Sequence, residues 1–439
     1  MSERTGRTAE GASQAGWRRV AVLRPFELRD FRLLWTGLSV SLFGDGLFLV
    51  ALAWQTYELS NSPSALATVG LAWTLPMVSL LLLGGVISDR FDRRRIMIAS
   101  DLLRGSAVAA IGVLGVSGHI ELWHLYLLSA LFGVGDALFP PAFGALVPQI
   151  VPGNLLVQAN SVDAFMRPLM LQLLGPAAGG LIVAAVGAAG AFLVDAGTFT
   201  VSVAALLFMR SRPLPRREAA QASMLGDIRE GLRFVRSQTW LWATFAMAAV
   251  SLLFYLGPFE VLLPFVVKNE VGGSARDLGF VFAAAGVGGI VASLFTAQRR
   301  LPRRVITVMY LCFAVAVSGP IVYAVANEIW QMMLGAFVAG AGAAAGSIIW
   351  MTLMQRHVPG ELLGRVTSLD WLVATCLLPI SFALTGPVSA AVGVRETLFG
   401  AGVIGVALTL GFLLVPGLRD LERSGSGERA TVEGPPTDG

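Results

Sequence analysis

Long apolar stretches separated by short polar connections occupy almost the whole of this chain. A helix needs about 20 apolar residues to cross the hydrocarbon core of a bilayer. Because unpaired backbone polar groups are too costly inside a membrane, each stretch of that length is predicted to be a helix. The pattern predicts twelve such spans, numbered in chain order: Leu34–Tyr57, Ala65–Ile87, Ile96–Val116, Leu122–Leu146, Ala164–Val186, Ala191–Met209, Leu241–Val267, Leu278–Thr296, Val305–Val325, Ile329–Leu353, Ser368–Val392 and Thr397–Val415.

Composition favours a membrane protein over a soluble one. Of the 439 residues, 55% are apolar and only 14% are charged, whereas a soluble domain carries about 25% charged residues. The segment before span 1 is polar and contains several arginines, so span 1 is predicted to be retained rather than removed with a leader peptide. We therefore predict an all-α membrane protein with twelve transmembrane helices.

The positions of the basic residues predict the orientation of the spans. Nearly all of the 32 arginine and lysine residues fall in the two terminal segments or in connections on the same side of the membrane. The connections on the other side contain Lys268, Arg276 and Arg395. Since basic residues favour the cytoplasmic side, both termini are predicted to be cytoplasmic. The preference for arginine over lysine and the 50 glycines favour a bacterial source, so the bacterial inner membrane is the expected location.

The longest connection divides the spans into six and six. Apolar residues at 225, 228, 232 and 235 predict an amphipathic helix there, on the membrane surface, and Phe26, Leu28, Phe31 and Leu34 predict a second one before span 1. The predicted regions are a cytoplasmic N-terminal segment with an amphipathic helix (1–32), a six-helix half (33–209), a cytoplasmic central loop with an amphipathic helix (210–240), a second six-helix half (241–416) and a disordered cytoplasmic tail (417–439).

Two short segments carry unusual patterns. The connection between spans 2 and 3 reads Gly85-Val86-Ile87-Ser88-Asp89-Arg90-Phe91-Asp92-Arg93-Arg94. Arginines alone would hold this loop in the cytoplasm, but they do not account for the acids or the glycine. Span 5 contains Gly175-Pro176-Ala177-Ala178-Gly179-Gly180, which predicts a bend at the proline and close helix packing at the glycines. A packing face with no further role is the alternative for span 5.

The first segment, G-x-x-x-D-R-x-x-R-R, resembles the loop signature of the major facilitator superfamily of secondary transporters. The second is similar to the G-P-x-x-G-G motif of antiporters in that superfamily. Segments 140–148, 158–161 and 364–368 resemble a subgroup with multidrug and macrolide efflux proteins and the enterobactin exporter. The resemblance covers about residues 25–415 and implies two pseudo-symmetric halves of six helices. It departs from the signature at Asp92, where glycine is common, and after span 8, where the acid is missing.

The resemblance also implies roles for residues in the loop. Asp89 would close the cytoplasmic side by facing the N-terminal end of span 11, with Arg93 and Arg94 as anchors; contact with lipid headgroups is the alternative for the arginines. The predicted gate loop comprises Gly85, Asp89, Arg90, Arg93 and Arg94, and the predicted antiporter motif comprises Gly175, Pro176, Gly179 and Gly180. Spans 1, 4, 7 and 10 would line a central cavity.

Acids inside the spans are candidates for function, because a charge within the bilayer is costly. Asp45 in span 1 and Asp136 in span 4 are predicted near the middle of the membrane. Burial favours the protonated form of a carboxyl group, which suits a residue that takes up and releases a coupling proton. A fixed hydrogen bond between helices is the alternative for each. Glu260 follows the Gly257-Pro258 break in span 7 and is predicted to recognise a cationic substrate.

The flanks of these acids repeat in part. Leu42-Phe43-Gly44-Asp45-Gly46-Leu47-Phe48 in span 1 is similar to Leu131-Phe132-Gly133-Val134-Gly135-Asp136-Ala137-Leu138-Phe139 in span 4. Nested three-span repeats would place these segments in equivalent positions. Chance among helices rich in leucine, phenylalanine and glycine is the alternative.

Other residues within the spans are weaker candidates. An ion-pair network is predicted for Asp101, Arg104, Arg167 and Asp370. Asp195 is predicted to lie at the membrane interface. Aromatic side chains suit bulky amphipathic compounds, and ordinary packing is the alternative for any one of them. The candidates for the cavity wall are Phe48, Trp54, Phe254, Tyr255 and Trp350.

These features predict a proton-coupled secondary transporter that exports amphipathic small molecules by alternating access. A dedicated exporter of one metabolite, such as a siderophore or a self-made antibiotic, would share them, and the antiporter motif argues against a nutrient importer. The sequence has no H-E-x-x-H or G-x-S-x-G motif, and Lys268, its only lysine, lies in no phosphate-binding loop, so we do not predict an enzyme. We expect protons as the coupling ion, no cofactor or metal, no nucleic-acid partner, contact with lipids and a monomeric state.

Overall fold

The computed structural model describes residues 21–210, 224–299 and 301–422, and nearly all of them are helical. Within these ranges, eleven helices are long and apolar enough to cross a membrane. One of them, Gly153–Phe208, contains two spans, because Gly187 breaks it with a φ of 77°, a conformation that favours glycine. The prediction of an all-α membrane protein with twelve spans is confirmed.

The helix bounds agree with the predicted spans to within several residues, except that spans 5 and 11 begin about eight residues earlier. The N-terminal half contains Arg29–Leu59, Pro63–Arg90, Arg93–Val116, Leu122–Ile150, Leu156–Pro168, the π-helix Leu169–Leu174 and Gly175–Phe208. The C-terminal half contains Thr239–Phe265, the π-helix Val266–Glu270, Ala275–Ala297, Val305–Val317, Gly319–Val325, Ile329–His357, Gly360–Cys376, Leu378–Val392 and Val394–Gly411. Spans 9 and 11 are interrupted just before Pro320 and Pro379, because proline lacks the backbone donor that would continue the helix.

Each half is a bundle, and the two bundles meet along matched pairs of spans. In the N-terminal half, span 1 packs on the long helix of spans 5 and 6, and span 2 packs on span 4. In the C-terminal half, span 10 packs on spans 8 and 9, and span 7 packs on spans 11 and 12. Across the halves, span 2 contacts span 11 and span 5 contacts span 8. This pairing agrees with two pseudo-symmetric halves.

Contacts between the halves are close at one end of the bundle. We call it the closed end; it carries the connections between spans 1 and 2 and between spans 7 and 8. Tyr57 Oη donates to the carbonyl of Val261 at 2.6 Å, and Asn61 Nδ2 donates to Asn269 Oδ1 at 2.8 Å. We call the other end the arginine end, because it carries residues 90–95.

Glycines allow the helices to approach closely at this junction. An added Cβ on Gly180 in span 5 would lie 2.6 Å from the carbonyl oxygen of Ala275 and 3.0 Å from Cα of Gly279, both in span 8. A Cβ on Gly70 in span 2 would lie 2.3 Å from the ring of Phe382 in span 11. Side chains at these positions would therefore separate the halves.

The segments outside the spans differ from the predictions in detail. The chain enters span 1 through a 3₁₀ helix, Ala21–Glu27, rather than through a separate amphipathic α-helix. The central amphipathic helix is present as Met224–Ser237, where Glu230 pairs with Arg365 of span 11. The ordered chain continues past the predicted boundary at 417, because Leu418 is buried in the C-terminal half and Glu422 accepts a 2.7 Å hydrogen bond from the Thr307 backbone. The rest of the predicted tail and residues 1–20 lie outside the described residues.

We expect Gly180→Ala to lower the melting temperature of the purified protein, because a methyl group there overpacks the junction of spans 5 and 8. Overpacking of this kind typically costs about 1–3 kcal/mol. Gly197→Ala is the matched control, since an added Cβ there meets open space and alanine favours a helix. Equal melting temperatures for the two variants in the same detergent would contradict the close contact.

Candidate functional site

A buried arginine in span 3 gathers carboxylates from three helices. Arg104 Nη2 lies 2.6 Å from Asp101 Oδ1, one turn earlier in the same span. Arg104 Nη1 lies 3.6 Å from Asp45 Oδ2 in span 1 and 3.9 Å from Asp136 Oδ1 in span 4. We call these four residues the Arg104 cluster. Asp45 and Asp136 are thus brought together, and both share Arg104 with Asp101, its predicted partner in span 3.

Small residues make room for the Arg104 side chain between spans 3 and 4. A Cβ on Gly135 would lie 2.7 Å from Cγ of Arg104. Ser100 Oγ donates to the Gly135 carbonyl at 2.7 Å and joins the same two helices. Gly135 lies directly before Asp136, so the residue that makes room for the arginine stem also places the carboxylate beside its head group.

Aromatic rings surround the guanidinium on its other sides. Its central carbon lies 4.8 Å from the ring centres of Phe139 and Phe199 and 5.8 Å from that of Phe132. Such cation–π contacts strengthen when water is excluded. Phe132 also stacks on Phe48 at 4.7 Å, so the similar segments of spans 1 and 4 meet through their rings as well as at Arg104.

Asp195 lies beside this cluster, and its predicted place at the membrane interface is wrong. Its side chain is fully buried, and Thr198 Oγ1 donates to its Oδ1 at 3.1 Å. A Cβ on Gly44 would lie only 2.1 Å from the same oxygen, so the glycine next to Asp45 allows Asp195 to approach span 1. Ser202, one further turn along span 6, donates to Asp101 Oδ2 at 2.6 Å.

The carboxylates exceed the positive charge available to them. Three acids surround Arg104, and Asp195 is close by. Asp45 Oδ1, Asp195 Oδ2 and Arg104 Nε are buried without a hydrogen-bond partner among the described residues. Because a buried charge without compensation is strongly unfavourable, this arrangement is chemically suited to binding protons.

A cavity of about 770 Å³ lies between the two halves and extends towards the arginine end. This size suits a drug-sized molecule. Spans 1, 7 and 10 line it, as the resemblance implied, together with spans 2, 5, 8, 9 and 11; span 4 contributes no residue to the described wall. Asp45 and Asp136 therefore lie in the Arg104 cluster beside the cavity and not in its wall.

Glu260 is the one charged side chain in the described wall of this cavity. No hydrogen bond or ion pair of its carboxyl group is found with any described residue. Aromatic rings stand next to it: Tyr255 stacks on Phe259 at 5.2 Å, and Phe282 and Tyr323 lie 5.8 and 6.1 Å from Phe259. This wall offers an acid and several π faces to a bound molecule.

One side chain connects the cavity with the Arg104 cluster. Trp73 in span 2 lines the cavity, and its Nε1 donates to Asp136 Oδ2 at 3.3 Å. No sequence pattern indicated a role for this residue, because 63 positions separate it from Asp136. Phe259, Tyr323 and Gln172 in the wall were also not predicted.

Most of the predicted cavity aromatics have other contacts. Tyr255 lines the cavity, whereas the other four do not. Phe48 is buried against Phe132, Trp54 lies under the ammonium of Lys268 at 5.1 Å, and Phe254 is half-buried. Trp350 Nε1 donates to Asp370 Oδ2 at 3.2 Å, so Asp370 belongs to a separate pair in the C-terminal half.

Arg167 is also separate from the Arg104 cluster in its direct contacts. Its Nη2 lies 3.0 Å from Asp163 Oδ1, one turn earlier, and both side chains are about one-third exposed. The predicted four-residue network is therefore three separate groups: Asp101 with Arg104, Arg167 with Asp163, and Asp370 with Trp350.

The arginine loop is tied to span 6 of its own half. Asp92 caps span 3 by accepting from the Arg94 backbone at 2.9 Å, and Arg94 donates to the carbonyls of Leu206 and Leu207 at 2.6 and 2.7 Å. Arg93 Nε and Nη1 are buried without a partner among the described residues. Arg90 ends span 2 in an exposed position. The side chain of Asp89 lies outside the described part of the chain, so its contact with span 11 stays a prediction.

The glycines of the two motifs differ in their surroundings. Gly175 and Gly179 pack on the backbone of span 1, where an added Cβ would lie 2.6 Å from the Phe43 carbonyl oxygen and 3.0 Å from Cα of Leu47, respectively. The π-helix Leu169–Leu174 directly precedes Gly175 and Pro176. Space around Gly85 is open, and its neighbour Gly84 instead makes the close contact, 2.5 Å from the Ala137 carbonyl oxygen.

Two six-helix halves around a cavity, with buried charges inside the membrane region, define a multi-pass membrane transporter. A family of the major facilitator superfamily, described as transmembrane secretion effectors, matches residues 20–436. The chain belongs to this family.

Several relatives are efflux proteins. The chain is 29% identical over 392 residues to the multidrug efflux pump Tap of Mycolicibacterium fortuitum, covering 86% of this chain and 94% of the relative. It is 20% identical over 398 residues to macrolide efflux protein A of Streptococcus pyogenes, covering 89% and 97%. These proteins are transporters, and an enzymatic activity has no support from them.

Solved structures show the same fold at low identity. A bacterial homologue of the iron transporter ferroportin, in an inward-facing state, superposes with a TM-score of 0.65 at 17% identity, covering 88% of this chain and 99% of that one. A POT family transporter in complex with a thioalcohol-conjugated peptide gives a TM-score of 0.69 at 13% identity, covering 88% and 96%.

Removal of the buried cation should destabilise the N-terminal half. We expect Arg104→Gln to cost about 3–5 kcal/mol, because it leaves several buried carboxyl groups without their partner. The expected result is a marked fall in the amount of folded protein and in its melting temperature. Arg167→Gln is the control, since its pair with Asp163, about one-third exposed, is worth about 1 kcal/mol or less. An Arg104→Gln protein as stable as this control would contradict a structural role for the cluster.

Proposed function

We propose that this protein exports amphipathic small molecules in exchange for protons across the inner membrane of a bacterium. Both termini face the cytoplasm in this proposal, because the arginine end has the basic residues that favour that side. The protein acts as a monomer and moves its substrate by alternating access. The Arg104 cluster carries the proposal, since it places an excess of carboxyl groups one hydrogen bond away from the cavity.

The charge balance of the cluster supports proton coupling. Arg104 can offset the charge of one carboxylate, and Asp101 is its nearest partner at 2.6 Å. Asp45 and Asp136 lie 3.6 and 3.9 Å from the same guanidinium in a largely buried site, and no second cation contacts them among the described residues. Since uncompensated charge is costly there, a proton on either acid stabilises the cluster, and loss of that proton must be offset by another change in the protein.

The placement of the contacts between the halves supports alternating access. The halves touch at the closed end through a few hydrogen bonds and close glycine contacts, while the cavity opens between them towards the arginine end. Rocking of residues 25–209 against 241–416 would open the first region and close the second. With the arginine end inside, the structure corresponds to a state open to the cytoplasm.

The cavity wall supports bulky amphipathic substrates, including cations. Most of the wall is apolar or aromatic, which suits a large hydrophobic body. Glu260 adds a single acid that lacks a partner among the described residues, so a positively charged group on the substrate would supply one. The efflux functions named for the relatives are consistent with this substrate class.

Replacement of the cluster acids should remove proton coupling. We expect Asp45→Asn and Asp136→Asn to abolish substrate-induced proton release, because a side-chain amide does not take up or release a proton in the working pH range. The measurement uses liposomes with an imposed pH gradient, a pH-sensitive dye and a panel of macrolides and cationic dyes. Asp163→Asn is the control, because Asp163 is about one-third exposed and lies outside the cluster. Normal coupling in both cluster variants would show that these acids do not carry the proton.

The charge on Glu260 should determine the preference for cations. We expect Glu260→Gln to weaken binding of a cationic dye by about tenfold or more, because a charge-assisted contact is worth about 1.5–3 kcal/mol. A neutral compound of similar size should bind within about twofold of wild type. Glu58→Gln, at an exposed position outside the cavity, serves as control. Equal losses for both compounds would point to a disturbed cavity and not to charge recognition.

A further inference from the structure

Trp73 stands at the boundary between the cavity and the Arg104 cluster. Trp73 lines the cavity, and its Nε1 donates to Asp136 Oδ2 at 3.3 Å. Among the described residues, no other side chain of the cavity wall forms a hydrogen bond with a member of the cluster. Any molecule that fills the cavity next to span 2 therefore contacts a direct partner of Asp136.

Trp73 is partly buried, and its backbone packs directly on span 4. A Cβ on Gly133 would lie 2.1 Å from the Trp73 carbonyl oxygen, so spans 2 and 4 touch at this point. Phe48 and Phe132 pack edge-to-face on the indole with centres 6.1 and 5.5 Å away. A change in the cavity can thus act on the indole ring and its hydrogen bond without moving the helix.

The hydrogen bond links the position of the indole to the charge of Asp136. A donor aimed at a carboxylate favours its ionised form, and such bonds are stronger than those between neutral groups. The other charged groups that face Asp136 are Arg104 on span 3, with Asp101 on the same helix, Asp45 on span 1, and more distantly Arg167 on span 5. None of these groups lines the cavity. A molecule in the cavity can therefore affect Asp136 most directly through Trp73.

We propose that Trp73 is the positioning residue that makes substrate binding and protonation of Asp136 exclude each other. A substrate packed on the cavity face of the indole holds its N–H on Asp136, which favours the carboxylate and releases the proton to water. Protonated Asp136 holds the indole less firmly, so that the ring moves into the cavity and occupies part of the substrate's space. The coupling is reciprocal, as thermodynamic linkage requires, and it rests on the proton exchange proposed above.

The C-terminal half provides a matched comparison. Trp350 Nε1 donates to Asp370 Oδ2 at 3.2 Å, which is nearly the same contact. Trp350 is buried against Trp240 and Phe245 and does not line the cavity. Loss of this second indole donor should therefore leave proton coupling intact.

The experiment compares Trp73→Phe with Trp350→Phe in detergent. The ligand is a neutral amphipathic compound that Glu260→Gln still exports, so that pairing with Glu260 does not contribute to binding. Its dissociation constant is measured at several pH values. Wild type and Trp350→Phe should bind more weakly as the pH falls. Trp73→Phe keeps an aromatic ring but loses the N–H donor. The change in its dissociation constant over the same pH range should be about tenfold smaller than in wild type, because one hydrogen bond to a charged group contributes about a factor of ten to an equilibrium constant. Its proton release on binding should fall accordingly.

The outcomes separate the two proposals. Full pH dependence and proton release in Trp73→Phe would overturn the role of Trp73 and leave proton coupling in place. No proton release in wild type would overturn both. If Trp73→Phe does not fold, the intact protein labelled with 5-fluorotryptophan replaces it: among the signals of its 10 tryptophans, one should respond both to pH and to substrate. Absence of such a signal would overturn the role of Trp73.

Discussion

The buried guanidinium of Arg104 is the constraint on which the N-terminal half depends. A cation inside the membrane region is stable only with nearby anions, and it draws Asp45 and Asp136 to span 3 from two other helices. The glycines next to these acids then have a steric purpose. Gly135 leaves room for the aliphatic part of Arg104, and Gly44 leaves room for Asp195. The close packing of spans 1, 3, 4 and 6 thus accommodates the charge of Arg104 and the acids around it.

The two halves are similar in fold but not in chemistry. The excess of carboxyl groups lies inside the N-terminal half, while Glu260 stands on the cavity wall of the C-terminal half. A substrate held by Glu260 and a proton held by Asp45 or Asp136 would therefore occupy different sites. Coupling between substrate binding and proton binding therefore has to pass through the protein. Trp73 is important for this reason, because it contacts both the cavity and Asp136.

The sequence predicted the spans well because the membrane imposes a pattern that is visible in one dimension. It also singled out Asp45 and Asp136, since an acid in the middle of an apolar span is visible in the sequence and is costly there unless it has a function. It did not predict that both acids share Arg104, because this depends on how helices face each other. For the same reason, Phe48, Trp54, Phe254 and Trp350 were assigned to the cavity wall, whereas Trp73 was not recognised. Asp195 was misplaced because its depth was judged from the span boundary alone.

The distribution of strong and weak contacts favours rigid halves that move against each other. The ion pairs formed between described residues, such as Arg395 with Glu270, each lie within one half or join the central helix to its neighbour. The closed end is held by small residues and by hydrogen bonds such as Tyr57 to Val261 and Asn61 to Asn269. Such contacts can be exchanged for contacts with water at little cost, whereas separation of Arg104 from its acids would leave charges buried. Movement between the halves is therefore less costly than movement within either one.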